Sequence, residues 1–193
     1  MTKQRLIILA LASCFALHAT AQTATSSNAP PSVNTDDSRV EFASALPQSR
    51  LAGTTRLTVW GFQVYDAKLW TVPGATADKV ASQAFALELT YLRAFDSMDI
   101  ATRSITEMRR SAPVSEVQAK AWMDEMQRVI PNVKPGDRVM GIHRPGLGAQ
   151  FWVNGKQSGE IRDVEFARLF FGIWLSPKTS EPKMRLALLA GVL

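Results

Sequence analysis

The sequence predicts an α+β fold in which a large antiparallel sheet carries a layer of helices. Three observations point to it. Residues 55–60, 62–70 and 84–95 alternate or run apolar in short blocks, as strands do. Two amphipathic helical patterns with good N-cap residues follow between 96 and 130. A second strand section, with an Asn154-Gly155 turn inside it, is then followed by two more helical patterns.

The order starts with a leader. Lys3 and Arg5 precede an apolar run from Leu6 to Leu17, and Ala19-Thr20-Ala21 is the small-residue pattern that a signal peptidase cuts after. The run is shorter than the roughly 20 residues of a spanning helix. Residues 1–21 are therefore expected to be a signal peptide, giving a periplasmic or secreted protein without stable membrane insertion. Leu11-Ala12-Ser13-Cys14 also has the form of a lipoprotein processing site, which leaves a lipidated Cys14 as the alternative. Residues 22–38 are rich in Ser, Thr, Pro and Ala and lack aromatics, as in a disordered leader. A single domain is expected over 39–193.

Within it, "TRLTVW" and "FQVYDAKLW" read as strands either side of Gly61. In the next strand Phe85, Leu87, Leu89 and Tyr91 alternate with Ala86, Glu88 and Thr90. Asp96 is placed to cap a helix whose Ala101, Ile105 and Met108 share a face. Ser115 and Gln118 form a capping box for a second helix with Ala119, Trp122, Met123, Met126 and Ile130 on its stripe, stopped by Pro131. "GDRVMGIHR" and "GAQFWVNGKQSGEI" return to strands. Asp163 caps "VEFARLFFGIWL", and Ser180 is placed to cap a last helix with Pro182 in its first turn. Trp60, Trp70, Trp122, Trp152 and Trp174 are spread over these elements and read as core. Phe166, Phe170, Phe171 and Trp174 also read as core, with cleft lining as the alternative.

Composition excludes several function classes. Cleavage after Ala21 removes the sole cysteine, Cys14, and leaves His143 as the sole histidine. No disulfide, Cys/His zinc site or Cys-His nucleophile pair can then form, so neither metal nor cofactor is expected. His143, beside Arg144 and a Pro-Gly turn, reads as a partly exposed residue at a strand end. Neither a Gly-x-Ser-x-Gly elbow nor a phosphate-cradling glycine loop is present. The net charge of +5 falls by two when Lys3 and Arg5 leave, and there is no basic run. Nucleic acid is not an expected partner.

Candidate binding residues lie in the strand blocks. Arg56 and Tyr65 interrupt the largely apolar stretch 53–74, and Arg93 follows the Leu87, Leu89, Tyr91 face. A solvated strand accounts for Arg56, a rim hydroxyl for Tyr65 and an ion pair for Arg93; a pocket for an anion would use all three. Residues nine apart on one flat strand face opposite ways. Arg56 and Tyr65 therefore converge only if the chain turns or bulges near Gly61.

The order of "GTTRLTVWGFQVYDAKLW", "LTYLRAF", "GDRVMGIHRPGLGAQFWVNGKQSGEI" and "FARLFFGIWLS" before "LALLAG" resembles the secreted bacterial branch of the chalcone-isomerase-like family, over roughly 40–191. The resemblance implies an open-faced β-sandwich: a large antiparallel sheet, helices on one side, and a cleft between them. It also implies an arginine facing that cleft, a place that Arg56 occupies here. At Tyr65 the isomerases carry threonine, whereas fatty-acid-binding relatives carry a tyrosine that helps the arginine hold a carboxylate. The isomerases also have a tyrosine at the start of the helix after the third strand and an asparagine two turns on, and "DSMDIATRSITEMRR" has neither. With no catalytic residues assigned, the implied function is binding of a small apolar carboxylate by Arg56, Tyr65 and Arg93. The alternatives are an isomerase or lyase using Arg56 and Tyr65, or a structural envelope protein whose cleft is filled.

Overall fold

The computed structural model describes residue 43 and residues 45–193. The expected signal peptide, leader and domain start lie outside them. Strands β1 (Arg50–Val59), β2 (Phe62–Thr71) and β3 (Phe85–Tyr91) come first, then helices α1 (Ser97–Met108) and α2 (Glu116–Val129). Strands β4 (Arg138–Arg144), β5 (Gly148–Val153) and β6 (Lys156–Ile161) follow, and helices α3 (Val164–Leu175) and α4 (Pro182–Leu188) close the order. The strands form one six-stranded sheet in sequence order, every neighbouring pair antiparallel. This is the α+β architecture expected from the strand and helix patterns.

The helices cover one face of the sheet. Ala67, Leu69, Phe85, Leu87, Leu89 and Phe151 point into a core with the helical residues Ala101, Ile105, Met108, Trp122, Phe166 and Phe170. Helix α3 is apolar on nearly all sides and lies at the centre of the layer. Its Phe166 and Phe170 rings stack 5.3 Å apart, and Phe171 meets Phe85 edge to face at 4.9 Å.

Helix ends follow the sequence closely, with two exceptions. The Ser115 hydroxyl accepts from the Gln118 N–H, and Asp163 accepts from the Phe166 N–H while also receiving the Trp122 indole N–H at 2.9 Å. Asp96 occupies the N-cap of α1 but makes no side-chain cap bond; the Asn132 side chain accepts the Ser97 N–H instead. Helix α4 begins one residue later than expected, with Glu181 at the N-cap.

The opposite face is less solvated than alternation suggests. Leu46, Trp70, Ala86, Met140 and Ile142 are buried together there. Glu88 is 1% exposed among them, with the Lys68 ammonium 3.5 Å and the Arg138 guanidinium 3.7 Å away. Side chains from the strands on either side and Leu46 cover Ala86 and Glu88 of β3, although their pattern reads as a polar face.

Candidate functional site

A cavity of about 670 Å³ opens between the sheet and the helices, a size usual for small-molecule sites. Leu57 and Leu89 form its sheet wall, Ile100 and Phe170 its helical wall, and Met184 closes the α4 side. Side chains of the described residues do not fill it. Phe170 and Trp174 belong to the core and to the cavity wall at once, whereas Phe166 and Phe171 are core alone.

Tyr65 reaches into this cavity, and Arg56 does not. The reason is one residue in β2. The hairpin turns at Trp60-Gly61, which pairs Val59 with Phe62 and Thr58 with Gln63. Continued regularly, that ladder would set Arg56 opposite Tyr65, on one face. A bulge at Val64 shifts the register, so Leu57 lies opposite Tyr65 and Arg56 opposite Asp66. A one-residue shift reverses the facing of everything beyond it. The expected convergence of Arg56 and Tyr65 is thereby undone: the turn corrects the parity and the bulge reverses it again.

Arg56 is bound on the outer face. Its Nε and Nη2 donate to the Asp66 carboxylate at 2.5 and 2.8 Å, and Nη1 donates to Gln63 at 2.9 Å. The hydrogen bonds from Arg56 hold the Asp66 carboxyl below its ordinary range. Arg93 also stays out of the cavity wall. Its guanidinium lies 5.0 Å from the centre of the Phe62 ring, a cation–π contact where an ion pair was the simplest expectation.

The arginine that shares the cavity with Tyr65 is Arg103. Ile100, Arg103, Ser104 and Glu107 recur at helical spacing along α1 and face the cavity, beside the core stripe of Ala101, Ile105 and Met108. Arg103 Nη2 lies 2.7 Å from Glu107 Oε1, and Arg110 lies 3.6 Å from the other carboxylate oxygen. The spacing i, i+3, i+4, i+7 was legible in the sequence. An arginine and a glutamate one turn apart read equally well as a solvated surface pair, so the pattern did not single Arg103 out.

The cavity's phenols are held neutral. The Trp174 Nε1–H donates to the Tyr65 oxygen at 2.9 Å, which leaves the phenol's own proton free to point at a ligand. Burial is the main cause that pushes the Tyr65 hydroxyl up to about 12; the Trp174 bond acts against it, and Glu181 and Glu107 add to it. Tyr91 lies edge-on to Tyr65 with ring centres 6.0 Å apart, and its hydroxyl is pushed up further, again mainly by burial. Both are hydrogen-bond donors at neutral pH.

The remaining candidates are structural. His143 is buried, not partly exposed: Nδ1 lies 2.7 Å from the Gln83 carbonyl oxygen and the ring stacks on Phe85. Desolvation lowers its pKa. Among the described residues no group of His, Cys, Asp and Glu is placed to hold a metal ion, and no helix is long and apolar enough to cross a membrane.

Residues 39–190 match the chalcone isomerase-like family. An uncharacterized protein of Haemophilus influenzae is 27% identical over 153 residues, which cover 78% of this chain and 73% of that one. The crystal structure of a fatty-acid binding protein of Arabidopsis thaliana superposes with a TM-score of 0.59 at 9% identity, over 76% of this chain and 89% of that chain. The latter likeness concerns the fold.

Proposed function

The chain belongs to the chalcone isomerase-like family, and from that premise we propose that it is a non-catalytic binding protein for a small apolar carboxylate of the fatty-acid kind. What supports this is the open, largely apolar cavity with one oriented phenol and one guanidinium in its wall. A phenol fixed by Trp174 offers its proton to a ligand oxygen without moving, and Arg103 has donors to spare beyond those that Glu107 takes. The acyl chain then lies against Leu57, Leu89, Phe170 and Met184. The fatty-acid binding protein of Arabidopsis with the same fold gives the ligand class independent support. Helix α1 presents no tyrosine to the cavity, so the ring-closing chemistry of the isomerases lacks its hydroxyl there. We place the protein in the periplasm or outside the cell, on the Ala19-Thr20-Ala21 cleavage pattern.

A second reading has its own observation. Asp99, Glu107 and Glu181 share the cavity wall with Arg103, an acidic surplus that favours a neutral ligand carrying a hydroxyl or carbonyl. A matched pair of ligands separates the two. For a fluorescent fatty acid, Arg103→Ala is expected to weaken binding roughly 10- to 100-fold, and Tyr65→Phe by about tenfold. Its methyl ester should lose affinity only with Tyr65→Phe. Equal loss of acid and ester on Arg103→Ala would support the neutral ligand. Native mass spectrometry of protein taken from its own periplasm, if it showed no retained ligand and if neither probe bound, would end both readings.

A further inference from the structure

The β1–β2 hairpin ends in a feature that neither turn chemistry nor packing explains. Trp60 and Gly61 have φ of +49° and +81°. Turns with left-handed backbone at both positions favour Asn-Gly, and a bulky residue at the first position is strained. Packing gives nothing back, because Trp60 is 93% exposed; Phe62 is 58% and Val59 39% exposed beside it. Arg93 adds a cation held against Phe62, and it makes no ion pair among the described residues. The tip is continuous with the cavity, since Val59 and Trp60 form part of the cavity wall.

We propose that this tip docks on the surface of a lipid bilayer bearing anionic headgroups, so that the cavity opens onto the membrane from which its ligand comes or to which it goes. An indole on a protruding turn suits the headgroup boundary, where its ring is half desolvated and its N–H still finds a partner. Phe62 and Val59 reach toward the acyl chains, and Arg93 meets a phosphate. Three side chains on one turn offer far less than the roughly 800 Å² per partner that a stable protein interface covers, whereas a bilayer accepts a small wedge. Delivery of the ligand rests on the binding reading above; docking does not.

Flotation with vesicles of phosphatidylcholine alone, and of phosphatidylcholine with phosphatidylglycerol, tests this on the mature chain. The wild type should float with the anionic vesicles, and its tryptophan emission should shift to shorter wavelength. Trp60→Asn and Phe62→Ser should each weaken partitioning roughly tenfold or more, and Arg93→Glu should weaken it on anionic vesicles only. Because asparagine suits the turn better than tryptophan, loss of flotation by Trp60→Asn with an unchanged or higher melting temperature reports lost docking, not unfolding. Wild-type protein left in the buffer at every composition would overturn the proposal. So would flotation unaffected by Trp60→Asn and Phe62→Ser, or a mass doubling that Trp60→Asn abolishes without any flotation, which would assign the tip to a second copy. Phe62 is not in the cavity wall, so Phe62→Ser should still bind a soluble fluorescent fatty acid with wild-type affinity. Flotation without fatty-acid affinity would support docking and overturn only the binding reading.

Discussion

Two hairpins of this sheet share one backbone plan and differ in what it presents. Trp60-Gly61 and Asn154-Gly155 turn with nearly the same φ values, +49° and +81° against +47° and +82°. Each turn is followed by two ladder pairs and then a bulge on the returning strand, at Val64 in β2 and at Ser158 in β6. The first residue after the bulge faces the helices in both, Tyr65 in one and Gly159 in the other. At Gly159 helix α2 closes on the sheet, so that an added Cβ would lie 2.8 Å from Val129 Cγ1. At Tyr65 the helices stand off and the cavity begins. Asn154 also secures its turn, accepting the Arg138 N–H at 2.8 Å and donating to Asp137 at 3.0 Å. Among the described residues Trp60 makes no such bond. The backbone therefore explains Asn154 and Gly159, and does not account for the side chains at Trp60 and Tyr65.

The largest expected effect that tests this contrast is alkaline destabilisation from the cavity hairpin. The Tyr65 hydroxyl is raised from 10.0 to about 12 mainly by burial. Above pH 10 the unfolded chain loses that proton while the folded chain keeps it. Stability is therefore full below pH 10 and falls as pH rises toward 12, by about 3 kcal/mol for this group. Tyr91 shifts in the same direction. The sequence has only these two tyrosines, so phenolate absorbance should stay flat through pH 10 and rise only with unfolding. A titration centred near 10 in folded protein would show that the cavity is wet and the phenols are solvated.

The opposite hairpin gives the next effect. Gly159→Ala should cost about 2 kcal/mol in urea unfolding, because the Val129 side chain is fully buried and cannot withdraw. A neutral result would mean that α2 does not close on β6 as tightly as the contrast requires. The smallest effect concerns the outer face beside Tyr65. Arg56→Ala removes an exposed ion pair and should leave the urea midpoint almost unchanged. It should leave fatty-acid affinity unchanged. A tenfold loss of affinity in Arg56→Ala would restore the site that the sequence suggests.

Legibility varied with how local each signal was. The strand segments, the Ser115 and Asp163 caps and the Asn154-Gly155 turn could be read because each depends on a few neighbouring residues. Of the three candidate residues, Tyr65 lies in the cavity wall; the arginine in that wall is Arg103, and Arg56 and Arg93 lie elsewhere. Trp60 was indistinguishable from the buried tryptophans Trp70, Trp122 and Trp174. Composition says how apolar a residue is and nothing of whether something covers it.

The sequence by itself determined the α+β order, which face of each helix is apolar, and the absence of cysteine after Cys14. Only the tertiary structure decided the Val64 bulge, and with it which arginine stands near the phenol. The physical reason is that the facing of a strand residue depends on the parity of its ladder pairs. Parity in β2 is fixed from outside the hairpin, by the Tyr65–Tyr91 pairing with β3 and by the helices over Ala67 and Leu69. One unpaired residue between that fixed segment and the turn costs little locally, yet it moves Arg56 from the cavity to the outer face.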